Sequence, residues 1–404
     1  MARAKEYIQY IARGISPSYD IDGLRVLNQK CIRNQVISFN ESRFTNIAKK
    51  KIANEKYLQN YDVLINSTGV GTLGRVAQIK NIKVPTTVDS HVTIVRPNLK
   101  KINGDFFGYC FKAQQKLIET LGVGATGQIE LSRVSILENV EIPEYSLKQQ
   151  KNIAKILSNY DDLIENNNKR IKILEEIAQK IYKEWFVDFK FPGYETTTFK
   201  QTDLGKIPNN WEIKQIGKEY KTYLGGTPSR NEEKYWNGKI PWLNSGKTNE
   251  LRITKASEYV TELGLEKSST KLMPQYTTVL AITGATLGQV SMLGSEMCAN
   301  QSVVGIYSDK NPEYVFYLMK DKIQKLIQSA SGGAQQHINK DIVNEMKFVL
   351  PADTMLNDFK NIIRPINKEI FNLLYKNYTL KQTRDILLPR LISGEIDVEN
   401  LEIL

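Results

Sequence analysis

The sequence predicts an α+β fold built twice: two globular α/β domains separated by two long antiparallel coiled-coil helices, related by a pseudo-twofold internal repeat. Three observations lead there. The chain answers itself at about half its 404 residues, since the run Tyr61 to Val76 matches the run Tyr276 to Val290. Each copy closes with a long stretch of helical hydrophobic period. The composition, 41% hydrophobic and 25% charged, is that of a chain with real cores.

The repeat is anchored along its length. Lys5-Glu6-Tyr7 with Tyr10 answers Lys218-Glu219-Tyr220 with Tyr223, and Ser16-Pro17-Ser18 answers Thr227-Pro228-Ser229. Gly124-Ala125 with Ile129 answers Gly333-Ala334 with Ile338, and Lys151-Asn152-Ile153 answers Lys360-Asn361-Ile362. One order of elements with small loop insertions explains the drifting offset, and a duplicated chain suits a twofold target.

Residues 1–145 mix short β-like runs with Gly, Pro and Asn turns; Val63–Ile65, Val92–Val95 and Val134–Leu137 read as strands. A helical stretch from Phe106 to Glu119 interrupts them before the glycines of Gly122–Gly127. From Leu147 to about Val187 the period turns helical, with a stripe of Ile153, Ile156, Tyr160, Leu163, Asn167, Ile171, Leu174, Ala178, Ile181 and Trp185. About 40 residues at 1.5 Å each make a rod of roughly 60 Å. After mixed sequence from 191 to 350, a second helix is expected from about Thr354 to Ile392. Its stripe is Phe359, Ile363, Ile366, Ile370, Leu374, Asn377, Leu387 and Leu391. Pro365 suggests a kink or a late start. Antiparallel pairing would bury both stripes, with a globular head at each end of the rod. Asn167 and Asn377 on the stripes are either register devices or exposed polar breaks.

The net charge of +11 favours a polyanionic partner, and nucleic acid over membrane because no basic block sits beside an apolar helix. Cys31, Cys110 and Cys298 are far apart and the chain has two histidines, so a structural zinc site is not expected. Lacking a signal pattern or a spanning apolar stretch, the protein is expected to be soluble and cytoplasmic.

Motifs that suggest catalysis fail on inspection. Asn244-Ser245-Gly246-Lys247-Thr248 ends like a phosphate loop, but Pro241 stands where its first glycine belongs. Asn311-Pro312-Glu313-Tyr314 resembles an amino-methyltransferase loop with the wrong third residue, and is expected instead to cap a helix over Tyr314–Ile327. The duplicated turn is more informative. Thr68–Arg75 and Thr283–Gln289 each follow a strand-like run, and their glycines either bring backbone amides to a phosphate or serve a tight hairpin. Arg75 faces Gln289 at the last position, and these side chains suit guanine and adenine respectively.

Several segments together resemble the DNA-specificity subunit of a type I restriction–modification system. They are Leu204–Trp211, Leu224–Ser229, Ile240–Gly246, Ala281–Gly288, Asn300–Ser302, Ile153–Phe186 and Leu387–Ile396. The resemblance implies target-recognition domains at 1–145 and 191–350, a central conserved helical region at 146–190, and a distal one with the C-terminal tail at 351–404. Each recognition domain would read half of a split double-stranded DNA site. The helices would hold two methyltransferase subunits, which bring S-adenosylmethionine and methylate adenine. A restriction subunit using ATP and Mg can join. This chain is expected to bind no cofactor and to catalyse nothing. The Leu204–Trp211 lead-in has no counterpart before Lys5, so the first copy is expected to borrow the tail after Gly394.

Candidate DNA-contacting residues in the first copy are Ser16, Ser18, Tyr19, Thr68, Thr72, Arg75, Ser90 and His91, though His91 also fits an ordinary surface or core position. In the second they are Thr227, Ser229, Arg230, Asn244, Lys247, Thr283, Thr286, Gln289, Asn300 and Gln301, with Gln335 and Gln336 on a glycine-flanked loop; Trp242 is expected in the core. On the rod, Asp161, Asp162, Glu165, Lys169, Arg170, Glu175 and Glu176 are expected to be exposed, either as an ordinary solvated helix face or as groups for partner docking. Two alternatives stay open: a nucleotide- or S-adenosylmethionine-dependent enzyme using the glycine-rich loops, and a scaffold that binds DNA without reading it.

Overall fold

The structure is a computed structural model that describes residues 1–48, 51–124, 129–329 and 338–399. The chain divides into two compact units, Met1–Ile164 with Thr379–Leu404, and Glu165–Tyr378. Two long helices contribute to both: a central one, Leu147–Tyr182, continued by a π-helical turn Lys183–Val187, and a distal one, Asp353–Ser393.

In the first unit an antiparallel sheet runs in the order Ile8–Arg13, Val92–Pro97, Val63–Asn66, Val76–Gln78. The middle strands are buried on both faces, which is why they read as continuous apolar runs. A second sheet pairs Thr86–Val88 parallel to Leu24–Leu27, then adds Arg43–Thr45 and Tyr19–Asp20. The helix Gly104–Ala113, capped by Asn103, lays Phe106, Phe107, Tyr109 and Phe111 into the core.

The second unit repeats this plan. Lys221–Leu224, Val303–Tyr307, Thr278–Ala281 and Val290–Leu293 pair antiparallel in the same order, and Arg252–Ile253 adds a fifth, parallel strand. Trp242–Leu243 pairs parallel with Cys298–Ala299, as Leu24–Leu27 does with Thr86–Val88. The helix Pro312–Ser329 packs Tyr314, Phe316 and Tyr317 into the core. It starts with Pro312, and Asn311 lends its carbonyl to the Val315 amide.

The central helix opens with a capping box, since Ser146 Oγ accepts from Gln149 N while Gln149 Oε1 accepts from Ser146 N. The distal helix stops at Gly394, whose φ of +82° suits a residue without Cβ. Within the second unit the two helices pair antiparallel. Asn167 Nδ2 donates to Asn377 Oδ1 at 2.8 Å, Asn377 Nδ2 to Asn168 Oδ1 at 2.9 Å, and Arg170 bonds Glu369. Asn167 and Asn377 are both buried, so they act as a mutually satisfied register pair. Within the first unit Asp161 meets Arg384, and Asn152 donates to the Val398 carbonyl.

The first unit is closed by the end of the distal helix and by the tail, with Leu388, Leu391 and Ile392 of the helix and Val398 of the tail in its core and Ala2–Arg3 paired to Glu141–Ile142. The second unit closes differently. Its lead-in forms the hairpin Phe199–Thr202 with Gly205–Pro208, and Trp211 stacks on Phe191 among Phe186 and Phe189.

Several expectations are corrected. Val134–Leu137 lies in a helix, Arg133–Asn139, because Ser132 caps it and only Ile136 is fully buried, so nothing demands strand alternation. Leu163 is half exposed, and Leu157 and Ile164 take its place in the seam. Pro365 marks no late start; it sits exposed inside a helix begun twelve residues earlier. Glu175 is buried against Arg252, and Asp161 is partly buried, so neither is an open docking group.

Asp161 accepts from Tyr109 Oη at 2.7 Å and Arg384 Nη1 at 2.5 Å, with Lys112 Nζ at 3.6 Å. Burial opposes its ionisation, but Lys112 and Arg384 outweigh burial and hold its pKa below the usual value. A depressed pKa stabilises the fold above the unfolded value of about 3.9, and that stability is lost as pH falls through the folded value. Asp161→Asn should therefore cost about 2 kcal/mol at pH 7, less than breaking a fully buried pair because the site keeps some solvent. In thermal melting the gap to the unaltered chain should close below about pH 4; a gap independent of pH would refute this.

Candidate nucleic-acid interface

In each unit most of the described candidate residues lie on three loops that meet at one end of the antiparallel sheet. In the first unit these loops follow Ile8–Arg13, follow Val63–Asn66, and precede Val92–Pro97. Gly14 N bonds Val92 O and Ile15 N bonds Val88 O, which ties the first loop to the third. Ser67 N donates to His91 O, and Thr68 Oγ1 meets His91 Nδ1 at 2.7 Å, which ties the second to the third. His91 is an exposed residue here, so the core reading of it is excluded.

The duplicated turn is a closed hairpin. Thr72 and Leu73 amides bond Gly69 O, Gly74 N bonds Asn66 O, and Arg75 N bonds Thr72 O. Thr72 Oγ1 donates to the Thr68 and Gly69 carbonyls, and Arg75 Nη2 holds Gly71 O at 2.8 Å. Gly69, Gly71 and Gly74 all have positive φ. The glycines thus serve the turn, and the amides of Thr72, Leu73, Gly74 and Arg75 are spent inside it. Val70, 87% exposed, forms the tip.

The second unit shows the same knitting with other side chains. Ile282 N bonds Ser302 O, as Ser67 N bonds His91 O. Thr227 Oγ1 donates to Gln301 Oε1 at 2.6 Å, joining the first and third loops through side chains. Asn300 Oδ1 accepts from Ser302 N, and Thr286 Oγ1 reaches Thr283 O at 3.5 Å. Gln289 accepts from Thr248 Oγ1, so its carbonyl faces a neighbouring loop while Arg75 holds its own turn. Asn244 is exposed before the 3₁₀ helix Ser245–Asn249, where Lys247 pairs with Glu250; the segment forms no phosphate loop. Arg230 is engaged elsewhere, ion-paired to Glu258 and lying over the Trp236 ring. Ser229 is exposed, and its carbonyl accepts from Trp236 Nε1. Trp242 is in the core, its indole N–H on Gly226 O. Gln335 and Gln336 lie outside the described residues.

A cleft of about 390 Å³ opens beside the first unit's loops, lined by Tyr19, Asn28, Lys30, Arg43, Asp89 and His91 among others. Arg43 stacks on Tyr19 at 3.7 Å from the ring centre. Burial raises the Asp89 carboxyl above its usual pKa, against the pull of the His91 amide that it accepts. Ser18, whose amide and carbonyl both bond Thr45 Oγ1, supports the strand carrying Tyr19; Ser16 is exposed and Ser90 half-buried. Asn28, Lys30, Arg43 and Asp89 were missed from sequence. A signal existed: Leu27-Asn28 answers Leu243-Asn244 within the offset drift of the repeat, and each pair enters a 3₁₀ turn.

Among the described residues no cluster of His, Cys, Asp and Glu could hold a metal ion, and no helix is long and apolar enough to cross a membrane.

Comparison with known proteins places these features in company. The family described as type I restriction modification DNA specificity domain matches twice, over residues 5–176 and 208–382. The chain is 28% identical over 341 residues to the type I restriction enzyme MjaIX specificity subunit of Methanocaldococcus jannaschii, covering 83% of this chain and 78% of that one. It is 24% identical to the HindI specificity subunit of Haemophilus influenzae, covering 98% and 100%. The crystal structure of a type I restriction–modification S subunit from M. genitalium has a TM-score of 0.57 at 16% identity, covering 98% and 96%, which shows a shared fold.

The loop geometry separates two glycines. A Cβ on Gly74 would lie 2.5 Å from the Glu119 backbone, whereas Gly71 is open although its φ is +72°. Gly71→Ala should cost about 1 kcal/mol of strain, and Gly74→Ala distinctly more. Equal losses in thermal melting would contradict the closed turn.

Proposed function

Because the chain belongs to the type I restriction modification DNA specificity family, carrying that domain twice, we propose that each copy reads one half of a bipartite duplex DNA site. The observation that carries this reading is the duplicated meeting of three loops at one sheet end, built on the same backbone bonds but tipped with different side chains. Arg75 answers Gln289, and the Ser90-His91 pair answers Gln301-Ser302. Common backbone with unlike tips suits two unlike half-sites, because backbone and phosphate contacts set register while base-edge contacts set sequence.

In this reading Ser16, Tyr19, Thr68, Arg75, Ser90 and His91 line the first reading surface, with Asn28, Lys30 and Arg43 from the adjoining cleft. Thr227, Ser229, Asn244, Lys247, Thr283, Gln289, Asn300 and Gln301 line the second. The net charge of +11 supplies sequence-independent attraction to the duplex. The chain acts in the cytoplasm as a non-catalytic reader. Two methyltransferase subunits dock on its helices and bring S-adenosylmethionine; they flip and methylate an adenine while this chain holds register. A restriction subunit with ATP and Mg extends the assembly to cleavage.

Replacing residues 1–145 by the matching region of another family member, with the methyltransferase partner present, should change one half of the methylated motif and leave the other as it was. Long-read sequencing of modified bases reads the outcome. Changes in both halves, or methylation without any motif, would overturn the assignment of one half-site per copy.

A further inference from the structure

Both copies carry a Tyr-x-x-Lys on the helix that backs the sheet: Tyr109-Cys110-Phe111-Lys112 and Tyr317-Leu318-Met319-Lys320. Each motif reaches the central helix. In the first unit Tyr109 Oη and Lys112 Nζ both face Asp161. In the second, Tyr317 Oη donates to Glu175 Oε2 at 3.4 Å, and Lys320 Nζ donates to Gln179 Oε1 one turn further on. The two acids lie on one helix, and each accepts from the tyrosine hydroxyl of its own unit's motif.

The counter-charges come from different places. Asp161 is neutralised by Arg384 of the distal helix together with Lys112 of the backing helix. Glu175 is neutralised by Arg252, which belongs to the fifth sheet strand of the second unit; the matching sheet of the first has no such strand among its described residues. The Arg252 side chain is 1% exposed and sits 3.1 Å from Glu175 Oε1 through Nη1. Its Nη2 donates to Asn367 Oδ1 at 2.8 Å and to Tyr317 Oη at 3.3 Å, and its Cζ lies 3.9 Å from the centre of the Phe316 ring. One guanidinium therefore joins the sheet, its backing helix, the central helix and the distal helix. A planar fork with several fixed donors can do that, and a lysine cannot.

We infer that Arg252 is the positioning residue that seats the second recognition region on the helix pair, and that any region exchanged into this place must bring its own arginine to Glu175. The first region also brings a cation, Lys112, but the distal helix supplies Arg384, so Asp161 keeps a partner whichever region is exchanged in. The half-site part of this inference rests on the function proposed above; the seating itself does not. A buried ion pair adds little against a well-packed apolar pair, but removing one partner strands the other charge, so the pair acts as a compatibility lock.

The test uses the full-length chain with R252M, E175Q and the double variant. R252M should lower the melting temperature by roughly 10 °C, and R252M/E175Q should recover much of that loss, because the stranded carboxylate is gone. Additive shifts, or a harmless R252M, would overturn the lock. In the methylating assembly, held below the melting point of the variant, R252M should relax discrimination in the half-site of the second region and spare the other half. Equal loss in both halves, or none, would overturn positioning. An unaltered assembly that methylates no bipartite motif would refute the functional reading instead, and the melting cycle would then decide the lock alone.

Discussion

A 36-residue helix with one apolar stripe has to be covered along its whole length, and the rest of this structure follows from how the central helix is covered. Within each unit the cover is a stretch of the distal helix together with the sheet-backing helix of that unit. Apolar packing supplies most of the stabilisation, at roughly 25 cal/mol per Å² of buried apolar surface. It does not by itself choose a register. The polar groups on the stripe make that choice: Asn167 with Asn377, Glu175 with Arg252, and Asp161 with Arg384. Each finds its partner in one alignment, and sliding by a turn would leave buried amides or charges without one.

With that seam fixed, each sheet is held by its backing helix and presents its three-loop end. The shared backbone bonds, such as Ser67 N to His91 O and Ile282 N to Ser302 O, keep the loops in the same places in both copies. Side chains at the tips are then free to differ without disturbing the scaffold. The units close by different devices, tail residues such as Val398 in one and Trp211 with its hairpin in the other, so the repeat is one of scaffold and not of edges.

Local signals carried far in this sequence. The strands around Val63 and Val92 and the bounds of both long helices were legible because their period and composition agree with their burial. The buried Asn pair was legible as a polar position on an apolar stripe. What failed depended on distant partners or on geometry. Glu175 reads as a surface residue until Arg252, 77 positions away, folds onto it. Leu163 and Ile164 are adjacent apolar residues, and helix rotation alone decides which one faces inward. Val134–Leu137 has a strand-like composition, yet a serine cap and a single buried contact make it a helical turn. In the loops, sequence located the turn but could not say that the amides from Thr72 to Arg75 were already bonded. Asn28 and Lys30 hid because only Leu27-Asn28 of their segment matches the other copy.

The central claim is that one scaffold, used twice, holds two independent reading surfaces. The measurement that bears on it most directly is a genome-wide map of modified adenines in cells expressing this chain with its methyltransferase partner. The account predicts a single motif of two specified segments separated by unspecified bases, absent when this chain is omitted. A continuous motif with no unspecified spacer, or an unchanged map without this chain, would contradict it.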